Sequence, residues 1–137
     1  MYFEERKDLL IYAKYLDAIT DILSIQEKIS ITKTIVLAFL YVNNSFSDSY
    51  FASREKKNLF DKYLALLTNQ KDLFFKSIEL EFDCINILKE SEMLFQNGLF
   101  ISLKNKKNKI NKTLEKLVLS LKNYSEQQFI REVLCYV

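Results

Sequence analysis

The sequence predicts a mainly α fold: a single helical domain over residues 1–137 that carries one two-stranded β-hairpin near residues 99–111. Three observations lead there. Glycine occurs once and proline not at all, so the residues that most often interrupt helices are nearly missing. Apolar residues return at steps of three and four along most of the chain, which is the period of one helix face. The 137 residues are 49% apolar and 28% charged, ordinary proportions for one folded unit around one core.

The first helix is expected from Phe3 to Leu23, with Leu9, Tyr12, Leu16, Ile19 and Leu23 on one face and Lys7, Lys14, Asp17 and Asp21 on another. After SIQEKIS, Ser30 can cap a second helix, ITKTIVLAFLYV, which is apolar on nearly every side and should therefore be central and buried. The turn-forming side chains of NNSFSDS end it near Asn43 and Asn44. Ser53 is the expected cap of REKKNLFDKYLALL, whose stripe is Leu59, Phe60, Tyr63, Leu64 and Leu67. From Asn69 a helical stretch runs to Asn97, long enough that a break is expected between Ile78 and Phe82. Gly98 is read as its stop, a residue free to take the left-handed conformation that closes a helix.

Beyond it LFISL and KIN read as two strands around a KNKKN turn. Asn111 then caps KTLEKLVLSLKN, which turns Leu114, Leu117, Val118 and Leu121 inward. Ser125 and Gln128 form a capping box for EQQFIREVLCYV. Four helices, a basic hairpin and closing helices resemble a winged-helix domain with helical additions.

The composition narrows the chemistry. Histidine is absent, which removes Ser-His and Cys-His nucleophilic pairs and every imidazole metal site. One glycine cannot build the loops that cradle nucleotide phosphates. Cys84 and Cys135 form no CxxC pattern and are read as small apolar core residues with reduced thiols. Glu79 and Asp83, four apart, have the spacing of an acid/base pair or half a metal site, but without clustered partners they read as a solvated helix face. No cofactor, metal or small-molecule substrate is expected, and the chain is read as no enzyme.

Charge is unevenly spread. Between Leu99 and Lys122 seven lysines face one acid, Glu115, a local +6 that leaves −4 for the rest of a chain of formal charge +2. Lys104, Lys106, Lys107, Lys109 and Lys112 are thus candidate contacts for phosphates or for an acidic partner. No arginine stands among them to read guanine. Upstream, Glu79, Asp83 and Glu90 make an acidic helix that phosphates would repel and that is a candidate partner-facing surface. The N-terminal MYFEERKDLL lacks a signal pattern, and the apolar run Ile35 to Val42 is too short to span a bilayer, so a cytoplasmic, membrane-free location is expected.

The buried helix ITKTIVLAFLYVNN and the helix-glycine-ribbon segment INILKESEMLFQNGLFISLKNKKNKI together are similar to the small middle components of bacterial ABC-three-component systems, including Lamassu-type antiphage operons. The likeness extends from about Leu10 to Leu121. It implies a noncatalytic adaptor that joins an SMC- or Rad50-like ATPase to an effector protein, often a nuclease, in an antiphage complex, while the lysine segment allows nonspecific DNA contact in such a complex. It carries over no catalytic residue. Two other readings stay open: a winged-helix DNA-binding regulator, and a phage-encoded inhibitor of a host enzyme.

Overall fold

In the computed structural model, residues 2–46 and 59–137 are described. Helix α1 (Tyr2–Ile25) leads into a short strand, β1 (Ile29–Ser30), and then α2 (Ile31–Asn43). Helices α3 (Leu59–Ala65) and α4 (Leu67–Glu90) follow, then strands β2 (Leu94–Asn97) and β3 (Phe100–Leu103), and finally α5 (Lys112–Ser120) and α6 (Glu126–Leu134). The predicted Ser53 cap lies outside the described residues.

The mainly α expectation holds, with a small antiparallel sheet in the order β1-β3-β2. Strand β3 lies in the middle of this sheet, with β1 on one side and its hairpin partner β2 on the other.

Three of the expected caps form. Ser30 Oγ accepts from the Lys33 amide at 3.2 Å, and Asn111 Oδ1 accepts from the Leu114 amide at 3.0 Å. The Ser125–Gln128 box closes both ways, at 3.0 and 3.1 Å. Each cap satisfies helix-end amides that would otherwise lack a partner. Helix α2 is buried from Thr34 to Leu40, and the apolar core around it draws on each of the six helices among the described residues. The Phe39 and Phe74 rings meet edge to face at 5.1 Å between α2 and α4.

Four boundaries differ from the sequence reading. Helix α4 runs unbroken through Ile78–Phe82; the discontinuity falls at Leu66, between α3 and α4. Burial of Phe74, Ser77, Glu81, Cys84, Ile85 and Leu88 along one side holds the long helix on the core throughout. It ends at Glu90, seven residues before Asn97.

Gly98 is consequently no helix stop. It stands, at φ +64°, at the first central position of a two-residue hairpin turn between Asn97 and Phe100. Positive φ there suits the tight turn whose twist matches the flanking strands, a demand met most readily by glycine. The hairpin therefore spans 94–103 rather than 99–111, and KNKKN lies beyond it.

With its one glycine used in the hairpin, the chain closes α4 with Glu92 at φ +60°. The Met93 amide reaches back to the Leu88 carbonyl at 3.0 Å and the Glu92 amide to that of Lys89 at 3.0 Å, the paired bonds of a Schellman motif. A side chain in this left-handed position costs about 1 kcal/mol. Glu92→Gly is expected to raise the thermal midpoint by a few degrees, by relieving that cost without changing the fold. An unchanged or lower midpoint in calorimetry would show that Glu92 carries no strain.

Candidate functional site

The lysine segment is a pinned connection. It leaves β3 and crosses back over α1, where the Lys107 ammonium donates to Asp17 and, at 2.7 Å, to Asp21 Oδ1. The Lys107 amide donates to Ser24 Oγ at 2.9 Å. Burial alone would lower the pKa of this ammonium, but its bonds to Asp17 and Asp21 outweigh burial and leave it raised. At the far end Asn111 Nδ2 donates to the Phe46 carbonyl at 2.8 Å. Lys107 thus serves as a tether to α1, while Lys104, Lys106, Lys109 and Lys112 reach the surface. None of these five lysines lies on the hairpin itself.

Another lysine has a structural role that its position in the sequence does not announce. Lys33 on α2 donates to the carbonyls of Leu121 (3.1 Å) and Tyr124 (2.6 Å), just past the end of α5. A cation there satisfies orphan carbonyls and meets the negative end of the helix dipole. Its partial burial lowers its pKa.

Of the acidic helix, Glu79 and Glu90 are exposed, and Asp83 accepts the Tyr12 hydroxyl proton from α1 at 3.1 Å. The carboxylate pair four apart is therefore divided: Asp83 leans toward α1 and Glu79 toward solvent. Among the described residues no three Cys, Asp or Glu side chains come together to hold a metal ion. No helix among them is long and apolar enough to cross a membrane.

The carboxyl that sequence reasoning missed is Glu81, wholly buried on the core side of α4. Burial pushes its pKa up to about 9 against a hydrogen bond from Ser77 that pulls it down. Ser77 Oγ lies 2.7 Å from the Phe74 carbonyl and 3.3 Å from Glu81 Oε2. One hydroxyl proton cannot serve both acceptors, and a protonated Glu81 resolves the conflict by donating its own. Glu81 Oε1 has no hydrogen-bond partner. Nearby, the buried Tyr15 hydroxyl accepts from Asn43 Nδ2 at 3.0 Å, and burial followed by the Glu81 charge raises its pKa. The signal for Glu81 was its place in IELEF, one turn after Ser77 and one turn before Ile85, but its inward direction depends on the helix continuing unbroken.

The two cysteines part company. Cys84 is buried, and burial pushes its thiol up to about 12, which makes it inert. Cys135 is exposed at the end of α6, contrary to the expected core placement, because α6 turns Phe129 and Val133 inward and Cys135 falls on another side.

The hairpin presents apolar groups outward. Its inner face, Leu94, Ile101 and Leu103, packs on the core, whereas Phe95, Leu99 and Phe100 are 54%, 62% and 47% exposed. On α4, Phe75 and Phe82 are exposed beside the acidic row. No protein-family model, curated protein or solved structure matches this chain.

Proposed function

We propose that this chain is a noncatalytic adaptor, a protein-binding subunit of a bacterial defence assembly that links an SMC-like ATPase to an effector protein. The observation that carries the reading is the hairpin's solvent face. Where a DNA-binding wing would carry cations, this one exposes Phe95, Leu99 and Phe100. Helix α4 adds exposed Phe75 and Phe82 beside the carboxylates Asp72, Glu79 and Glu90, a surface better suited to a protein than to phosphates. The family likeness of the sequence supplies the kind of partner.

Co-expression with the products of neighbouring genes tests it. The tagged protein is expected to retain an ATPase with a long coiled coil and an effector, and Phe95→Ser with Phe100→Ser is expected to weaken that retention about tenfold or more. Recovery of the protein always alone would refute the adaptor. The surface lysines Lys104, Lys106, Lys109 and Lys112 support a second reading, DNA binding. It requires retention on DNA that falls roughly tenfold or more between low and physiological salt and that disappears when these four become Gln.

A further inference from the structure

Strand β2 forms one flank of the sheet, since the order β1-β3-β2 gives it a neighbouring strand on one side only. Alternation along the ladder decides which of its backbone groups face outward. The Lys104 amide donates to the Met93 carbonyl at 2.9 Å, so Met93 bonds toward the β3 side, and by alternation so do Phe95 and Asn97. Leu94 and Gln96 therefore turn both N–H and C=O away from β3, and among the described residues no other backbone group bonds them there. Natural edges of this kind are guarded by charges, prolines or bulges. Here the run from Leu94 to Leu103 contains no ionisable side chain and no proline. The Gln96 side chain does not cap the edge either: its Oε1 accepts from Lys89 at 2.7 Å and its Nε2 donates to the Gly98 carbonyl at 2.9 Å.

We propose that β2 pairs antiparallel with β2 of a second copy of this chain, about a two-fold axis that relates the two Phe95 residues, and so joins two small sheets into one. In that arrangement Leu94 lies opposite Gln96 of the second copy and Gln96 opposite its Leu94. Each pair exchanges both hydrogen bonds, and no outward group of the strand is left over. Left-handed residues beyond both ends fix the register. A shift toward the turn would set Leu94 against Gly98 at φ +64°, and the opposite shift would set Gln96 against Glu92 at φ +60°, neither of which has extended backbone. The axis then puts exposed Phe95 opposite Phe95 of the second copy, at a pair without ladder bonds, where facing Cα atoms come within about 4.5 Å. Opposed aromatic rings attract in such a pair, and the strand carries no charge to oppose them. This self-complementarity selects a second copy as the occupant. The pairing goes beyond the adaptor reading and does not compete with it, because Phe95 and Phe100 of both copies stay on the outer face of the joined sheet.

Sedimentation velocity of the full chain between about 10 μM and 1 mM reads the association. A monomer-dimer equilibrium is expected, and Gln96→Pro is expected to weaken it about tenfold or more. Proline there removes an outward N–H that the hairpin itself does not use, so the edge is blocked while the fold is kept. A charge exchange tests the register. Phe95→Glu and Phe95→Lys should each be monomeric, because like charges meet at the axis, and mixing the two should restore the dimer. A monomer at every concentration overturns the proposal, as does a dimer that Gln96→Pro leaves intact or a mixture of the two Phe95 variants that stays monomeric. Should Gln96→Pro fail to fold by circular dichroism, the charge exchange decides. Partners retained by a chain that never dimerises would leave the adaptor reading standing, whereas a dimer that retains no partner would refute the adaptor and not the pairing.

Discussion

Replacing Glu81 by Gln is expected to stabilise the protein at pH 8 by on the order of 3 kcal/mol and to flatten its stability between pH 5 and 9. In the folded chain the carboxyl is buried, has one oxygen without a partner and holds its proton up to about pH 9. Unfolded, it ionises near the usual glutamate value of about 4.3. Through the interval the unfolded state binds fewer protons than the folded state, so stability falls as pH rises. The stabilisation is fully present below the unfolded pKa and is lost by the time the pH reaches the folded one. A neutral amide removes that slope. Glu81→Met, of similar volume, should do the same and also remove the unpaired oxygen. Urea unfolding at pH 5, 7 and 8.5 measures it: parallel pH dependences in wild type and both variants would mean that Glu81 is ionised in the native state. A carboxyl kept at this cost at the meeting of α1, α2 and α4 is a specific destabilising element, and its removal should be a gain.

Phe60→Ala should cost about 3–5 kcal/mol, the loss of a large ring from a closed core. Phe60 is 2% exposed. Its ring stacks on Phe129 of α6 at 5.6 Å and meets Tyr124 edge to face at 5.3 Å. It is thus the aromatic tie between α3 and the two closing helices. If the chain is one cooperative domain, the variant unfolds in a single transition at lower denaturant with an unchanged slope. Two transitions would instead make α5 and α6 an appended unit.

Much of this architecture was legible locally. Ser30, Asn111 and the Ser125–Gln128 pair announce their helices because a cap is a contact between a side chain and an amide two or three residues away. The buried α2 follows from a run of apolar residues without a polar face. Gly98 was misleading for a physical reason: left-handed backbone closes helices and also opens hairpins, and the sequence offers one glycine for both tasks. The hairpin received it and Glu92 took the strained position.

What settled that choice lies far away in the chain. Strand β3 pairs with Ile29 and Ser30 as well as with β2, and the Ile31 amide bonds the Leu99 carbonyl at 2.8 Å. Likewise nothing near Lys107 distinguishes it from Lys106 or Lys109, since its partners Asp17 and Asp21 belong to α1. The sequence by itself determined the helical class, three caps, the buried centre and the polarity of charge, all set by neighbours within one or two turns. Only the tertiary structure decided where α4 ends, which lysine is a tether and that Glu81 is buried. Each of those depends on which distant surfaces meet once the helices pack.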